Sequence, residues 1–446
     1  MTRLLLRIPL IAIALGLGAA PAAAAPKLHL LKVPGLPAAN RVGAPIGGPV
    51  PAARHLAIGP GREVWMTGDG ATNYLARVSA GGKLIATYPT GGTPDSITAG
   101  PDGAMWFTEA DGNAVGRITR GGVINTFPVP IPGAGPRGIA LGADGALWVT
   151  LFRANQVARL TTDGTWTLFS NGLTPGGQQL GISRGPGGIW FTEPRGDRLV
   201  RIRPDGSLFA VSVSTASGPE AIERGVDGNL WFTEDDGNRI GRVTATGQVQ
   251  EFQSGITPRA TPFNITAGPD DAVWFTEADG DRIGRSTPDG WITEYPLPAQ
   301  SRPFGIVMGP DRRLWVALAH SGGLVRFTPP PAPVIPVQIS YATGVHGAIT
   351  TFTQMLVEDI PPVGRVRLTC SGRGCPLHRF QSRRGTATVD LHRKLRRVSG
   401  TARIQLTVFA PGYSSAVRVF RVSPGGATVS KRCIVPKSRR LRRTCG

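Results

Sequence analysis

The chain has 446 residues, 49 Lys+Arg against 29 Asp+Glu, a formal charge of +20, and 61 Gly with 40 Pro. A hydrophobic content of 41% with only 17% charged residues excludes a solvated, disordered polymer. Gly and Pro together reach nearly twice their usual share of about 12%, which excludes a helical bundle because both residues break helices.

The charge is not spread along the chain. Residues 1–360 carry 29 basic and 28 acidic groups, whereas residues 361–446 carry 20 basic groups and one acid, Asp390, together with all four cysteines. A nearly neutral body and a basic, cysteine-bearing tail therefore need separate readings.

Residues 1–25 read as a secretory signal peptide. Arg3 and Arg7 precede an apolar run over 8–17, and Ala-rich sequence follows. That run is too short to span a bilayer comfortably, so we expect an exported protein: secreted, periplasmic or on the cell surface. Export permits disulfides and removes chromosomal nucleic acid as a partner.

Residues 26–328 hold a seven-fold repeat. Trp65, Trp106, Trp148, Trp190, Trp231, Trp274 and Trp315 recur at intervals of 41 to 43 residues. That period, with about four strand-like runs per unit, is the signature of propeller blades. In one unit, PDSITA (94–99) runs to the turn Pro101-Asp102-Gly103. AMWFTE (104–109) follows, then the turn at 111–113, then VGRIT (115–119), then Gly121-Gly122 and VINTF (123–127). Asp-Gly and Gly-Gly between β-branched and aromatic runs mark hairpin turns, whose central residues need positive φ. The seventh unit stops after its third strand, and LHLLKV (28–33) is expected to supply the missing outer one. Trp106-Phe107 and their equivalents read as packing. Glu109, Glu193, Glu234 and Glu277 read as a repeated turn or inter-blade contact.

Function in such a ring is expected where equivalent positions diverge. The residue after the first-strand Pro reads Arg54, Asp95, Arg137, Leu180, Glu220, Phe263 and Phe304. Two Arg, two carboxylates and two adjacent Phe around one axis predict a pocket for an amphipathic small or peptidic ligand.

The units PFNITAGPDDAVWFTE (262–277), DRIGR (281–285) and GWITEYPLP (290–298) resemble those of the streptogramin B lyase (virginiamycin B lyase) family of seven-bladed propellers. The resemblance covers residues 28–328. It implies a carbon–oxygen lyase that opens cyclic depsipeptide antibiotics by eliminating the ester, assisted by magnesium and linked to antibiotic resistance. It also implies a His after the Pro of the sixth blade, another after that of the seventh, and a Glu four residues past the seventh Trp. Those positions here are Phe263, Phe304 and Ala319, none of which transfers a proton or binds a metal. His320 is the neighbouring substitute, with Glu220 or Asp95 as partner. A lactonase-like alternative would draw oxygen ligands from Asp95, Glu220 and Asn264, against the repulsion of Arg54 and Arg137. We therefore expect no confident catalytic or metal site, and a ligand-binding relative rather than an active enzyme.

After a Pro-rich hinge at 329–336, the repeat ends. Alternating runs at 337–341, 349–357, 364–370, 386–391, 402–409 and 416–422 predict a small, Ig-like β-sandwich over 337–446. Cys370 and Cys375 resemble half a zinc site, but an exported chain favours disulfides. Of three connectivities, the local one, Cys370–Cys375 with Cys433–Cys445, is expected. The arginines of this tail predict attachment to an anionic envelope polymer or to lipid headgroups. No nucleic-acid motif accompanies them.

Overall fold

The computed structural model describes residues 27–31, 52–69, 72–320, 323–335, 337–346, 349–372, 375–395, 397–399, 401–423 and 426–434. The segment expected to be a leader (1–25), Lys32 and Val33, Pro336 and Cys445 lie outside them.

Seven four-stranded antiparallel sheets follow one another along the chain. The second is representative: Pro94–Ala99, Met105–Glu109, Ala114–Ile118 and Ile124–Pro128, ordered from the inside outward. The first strands of successive sheets contact one another, and the seventh contacts the first. The seven sheets therefore close into a β-propeller around a central channel. The seventh blade contains Pro303–Met308, Leu314–Leu318 and Gly323–Thr328, and Lys27–Leu31 lies antiparallel along its outer edge.

One side-chain motif recurs between the sheets. In the second blade, Trp106 Nε1 donates to Asp102 Oδ1 at 3.0 Å, and Arg117 Nε donates to the other oxygen at 2.5 Å. The third, fifth, sixth and seventh blades repeat the Trp–Asp bond. All seven Trp are 2% exposed or less, so truncating one would cost about 3–5 kcal/mol. Phe275 fills the place that a Cβ on Gly284 would take, only 2.1 Å away, which fixes glycine there.

The second tie is a left-handed residue in the turn after the Trp strand of the second to sixth blades: Asn113, Asn155, Asp197, Asn238 and Asp281. Asn113 has φ 49°. Its Oδ1 accepts from Ala134 N at 2.7 Å and its Nδ2 donates to Ile131 O at 2.9 Å. It thereby fastens the loop that enters the next blade. Asn238 does the same for Ala260, and Asp281 for Arg302. Asn and Asp tolerate this backbone conformation better than other side chains. These ties lie on the face where the first strands begin, and they fix the rim of the channel.

The tail folds into two sheets over one core. Gln338–His346, Ile349–Glu358 and Val389–Asp390 form one sheet, with Val398–Ser399 pairing on the middle strand. The other is ordered Arg379–Gln381, Arg365–Ser371, Ala402–Phe409, Ser415–Ser423 and Gly426–Ile434. Phe352, Met355, Leu368, Leu406 and Phe420 fill the space between. This pairing does not by itself identify an immunoglobulin-type fold. The run expected over 386–391 pairs only at Val389–Asp390, and the last strand, Gly426–Ile434, has no counterpart among the runs expected from sequence. Cys370–Cys375 is a disulfide, with sulfurs 2.07 Å apart. Cys433 is disulfide-bonded as well.

The hinge runs back along this domain. Ser414 N donates to Pro333 O at 2.8 Å, and Ile335 N to Ser414 O at 3.0 Å. Next to it, Gly412 and Tyr413 meet the sixth blade. Arg285 Nη2 donates to the Gly412 carbonyl, and Tyr413 Oη donates to Asp289 Oδ2 at 3.2 Å.

Candidate functional site

A cavity of about 520 Å³ lies on the propeller axis, walled by the first strands of the blades. Arg54, Asp95, Arg137, Leu180, Glu220 and Phe263 all line it, with His55 and Asn264 beside them. The seventh ring position, Phe304, stacks on Phe263 with ring centroids 4.6 Å apart. All seven diverging positions therefore gather at one mouth. The reason is geometric: each lies at or near the start of the innermost strand of its blade.

The ring is electrostatically lopsided. On one side Asp95 is buried and held by Arg137 Nη1 at 3.1 Å, with Arg54 Nη1 at 3.9 Å. Arg54 is anchored behind by Asp69, through Nε at 2.9 Å and Nη2 at 2.6 Å. His55 Nδ1 lies 2.9 Å from the Asp95 carbonyl oxygen. Repeat spacing does not single out this histidine, because it follows the ring position rather than occupying it. Its strand has an irregularity between Ala53 and Leu56, which accompanies the placing of consecutive residues Arg54 and His55 in the same wall.

Glu220 sits across the mouth. Burial pushes its carboxyl up to about 8, and Asp235, Asp95 and Asp236 add to the shift while Arg137 opposes it. Its carboxyl receives no hydrogen bond from any described residue. Glu223, further along the same strand, is also raised by burial. The third sector is apolar: the Phe263–Phe304 pair, capped by the Arg302 guanidinium 5.3 Å above the Phe304 ring. Thr261 and Arg302, which precede the prolines before these two Phe, take positive φ of 56° and 44°. Gly135 and Gly218 occupy the equivalent places in the third and fifth blades. Left-handed backbone in a β-branched residue is strained, and such strain gathers at functional sites.

Ala319 is buried, while His320 is exposed and lies outside the cavity lining. The weak candidate His320 therefore does not line the mouth; its backbone N donates to Ser301 O, in the loop that leads into the first strand of the seventh blade. A divalent cation fits this ring poorly. Phe263, Phe304 and Ala319 offer no side-chain donor atom; of the two carboxyl groups at the mouth, Asp95 is already paired with two guanidinium groups and Glu220 is held towards its neutral form by burial. Glu109, Glu193 and Glu234 serve the rim: Glu109 Oε1 accepts from Gly91 N and Gly92 N at 3.0 and 3.1 Å, and the other two pair with Arg198 and Arg239.

A profile of the virginiamycin B lyase family matches residues 44–175 and 173–340. The virginiamycin B lyase of Staphylococcus aureus is 31% identical, with a TM-score of 0.61 over 68% of this chain and 99% of that one. The same enzyme solved with quinupristin, in a catalytically inactive form with a histidine replaced by alanine, matches to the same degree. The virginiamycin B lyase of Bordetella parapertussis is 39% identical over 49 residues, 10% of this chain. That match spans only 16% of the length of the curated relative. With blade number, repeat motif and ring closure in agreement, the chain belongs to the virginiamycin B lyase family.

Proposed function

We propose that this protein is an exported, lyase-like propeller that binds a small or peptidic ligand at its channel mouth without opening it. Its basic second domain attaches it to the cell envelope. The observation that carries the reading is the Phe263–Phe304 stack, at 4.6 Å, standing with Ala319 where the family resemblance implies two His and a Glu. Elimination needs a base for the proton beside the carbonyl and an acid at the leaving oxygen. Two phenyl rings and a methyl supply neither; they supply a flat apolar shelf. Arg54, Asp95 and Arg137 along one wall would orient polar groups of the same ligand.

The test uses quinupristin, with and without magnesium, followed by liquid chromatography and mass spectrometry. Elimination gives a linear isomer of unchanged mass, whereas hydrolysis adds one water. The expected result is binding by calorimetry with no conversion. Metal-dependent appearance of the linear isomer would overturn the reading.

A second reading, a carbon–oxygen lyase or lactonase-like enzyme, draws on Glu220. A carboxyl that titrates near 8 inside the cavity is a usable acid at neutral pH. If conversion did occur, Glu220→Gln should abolish it, and Phe304→His with Ala319→Glu should raise it.

A further inference from the structure

Side chains along a strand alternate between the two faces of a sheet. In the five-stranded sheet of the second domain, Val366, Leu368, Ile404, Leu406, Val408, Phe420 and Val422 point into the core. Arg365, Arg367, Arg403 and Arg421 therefore point outward, as does Arg432 beside the buried Cys433. Arg403 stands directly opposite Arg421 on the neighbouring strand, and both are exposed. Arg367 and Arg432 end one row, through Thr407 and Val417.

This arrangement costs the fold stability. Like charges directly opposite on neighbouring strands repel. The Nε–H groups of Arg365 and Arg367 are buried without an acceptor, which is a further penalty. Relief from within is scarce: Asp390 is the sole acid after residue 360, and it pairs with His392. Anionic oxygens brought by a partner would relieve the repulsion between the exposed Arg403 and Arg421. The five arginines also spread in two dimensions. They occupy four strands about 4.8 Å apart, and the Arg367 and Arg403 rows lie four residues, or about 13 Å, apart. A linear polyanion can follow only one line of such a patch, whereas a planar array of phosphates meets all of it.

We propose that the outward face of this sheet docks on the phosphate headgroups of a lipid leaflet, with Arg403 and Arg421 sharing one phosphate. This rests on the attachment reading above and names the surface and chemistry responsible. Arg suits the task because its planar fork binds phosphate oxygens in pairs.

The test is cosedimentation of the full chain with phosphatidylcholine vesicles containing phosphatidylglycerol, against phosphatidylcholine alone. Binding to the anionic vesicles only is expected. Arg403→Glu with Arg421→Glu should weaken it by about tenfold or more. Arg383→Glu with Arg384→Glu, an equal charge change at exposed residues outside the sheet, should weaken it much less. Should the reversed pair fail to fold by circular dichroism, Arg403→Gln with Arg421→Gln should give a smaller loss in the same direction. Equal losses from the two sites would overturn this face while leaving attachment by total charge. Absence of wild-type binding would overturn both readings. Release by linear polyphosphate at a lower phosphate concentration than the lipid supplies would overturn the leaflet as occupant.

Discussion

At the scale of single residues, repetition in sequence does not guarantee repetition in chemistry. Glu193 and Glu234 each meet an arginine five residues on, at 2.6 and 2.7 Å. Glu277, in the same place of the sixth blade, does not; its Arg282 turns to Glu294 at 3.6 Å. Burial, then the adjacent Glu294, pushes the Glu277 carboxyl up to about 9. The folded state therefore keeps a proton that the unfolded chain loses above about 4.5. Stability from this site is full at acidic pH and is lost as pH rises from there towards 9. Glu277→Gln should raise stability at pH 8 by about 1–3 kcal/mol and change little at pH 4, read from denaturant melts at the two pH values. A gain at pH 4 equal to that at pH 8 would contradict this. The motif WFTE was legible in the sequence; the unmatched partner was not, because Glu294 belongs to a different strand.

Among elements, the closing strand carries the most consequence. Without Lys27–Leu31 the backbone of Gly323–Thr328 would present an open edge at the seam of the ring. Deleting residues 26–35 should lower the melting temperature by about 5 °C or more; an unchanged melting curve would contradict it. The blades were legible because a Trp recurs at fixed spacing and many of the turns between their strands are Asp-Gly or Gly-Gly. The fourth blade, like the first, has no Asp in the turn before its Trp. Its turn is one residue shorter as well, so Trp190 Nε1 donates to Pro186 O at 3.1 Å, and Arg201 is lowered by burial and by Arg203. In the second domain the strand Gly426–Ile434 is hard to see in the sequence because Lys431 and Arg432 interrupt its apolar positions. It pairs along the whole of Ser415–Ser423 instead.

At the scale of the molecule, the two halves meet through a small contact at the sixth blade. Gly412 has φ 81°, and a Cβ there would meet Pro288 Cδ at 3.0 Å and Thr287 Cβ at 3.1 Å. Gly412→Val should push the domains apart and expose the Pro-rich hinge. Limited proteolysis should then cut near 329–336 several times faster, with both fragments still folded by circular dichroism. Cleavage at the wild-type rate would refute a contact that depends on this glycine. The same separation bears on function. The net charge of +20 belongs almost wholly to the second domain, so the pI describes that domain and says little about the ligand of the propeller.

The sequence by itself determined the blade count, the four-strand unit and the ring of diverging residues, since turn chemistry and period are local properties of the chain. It also located the charge. Only the tertiary structure decided that Asp95 is locked between two arginines, that Phe263 and Phe304 stack as one shelf, and that His320 stays out of the cavity lining. Those outcomes depend on distances between residues some 40 positions apart or more in the chain, which no periodicity encodes. The same holds for the arginine face: alternation placed its residues outward, but only the register of the strands set Arg403 against Arg421.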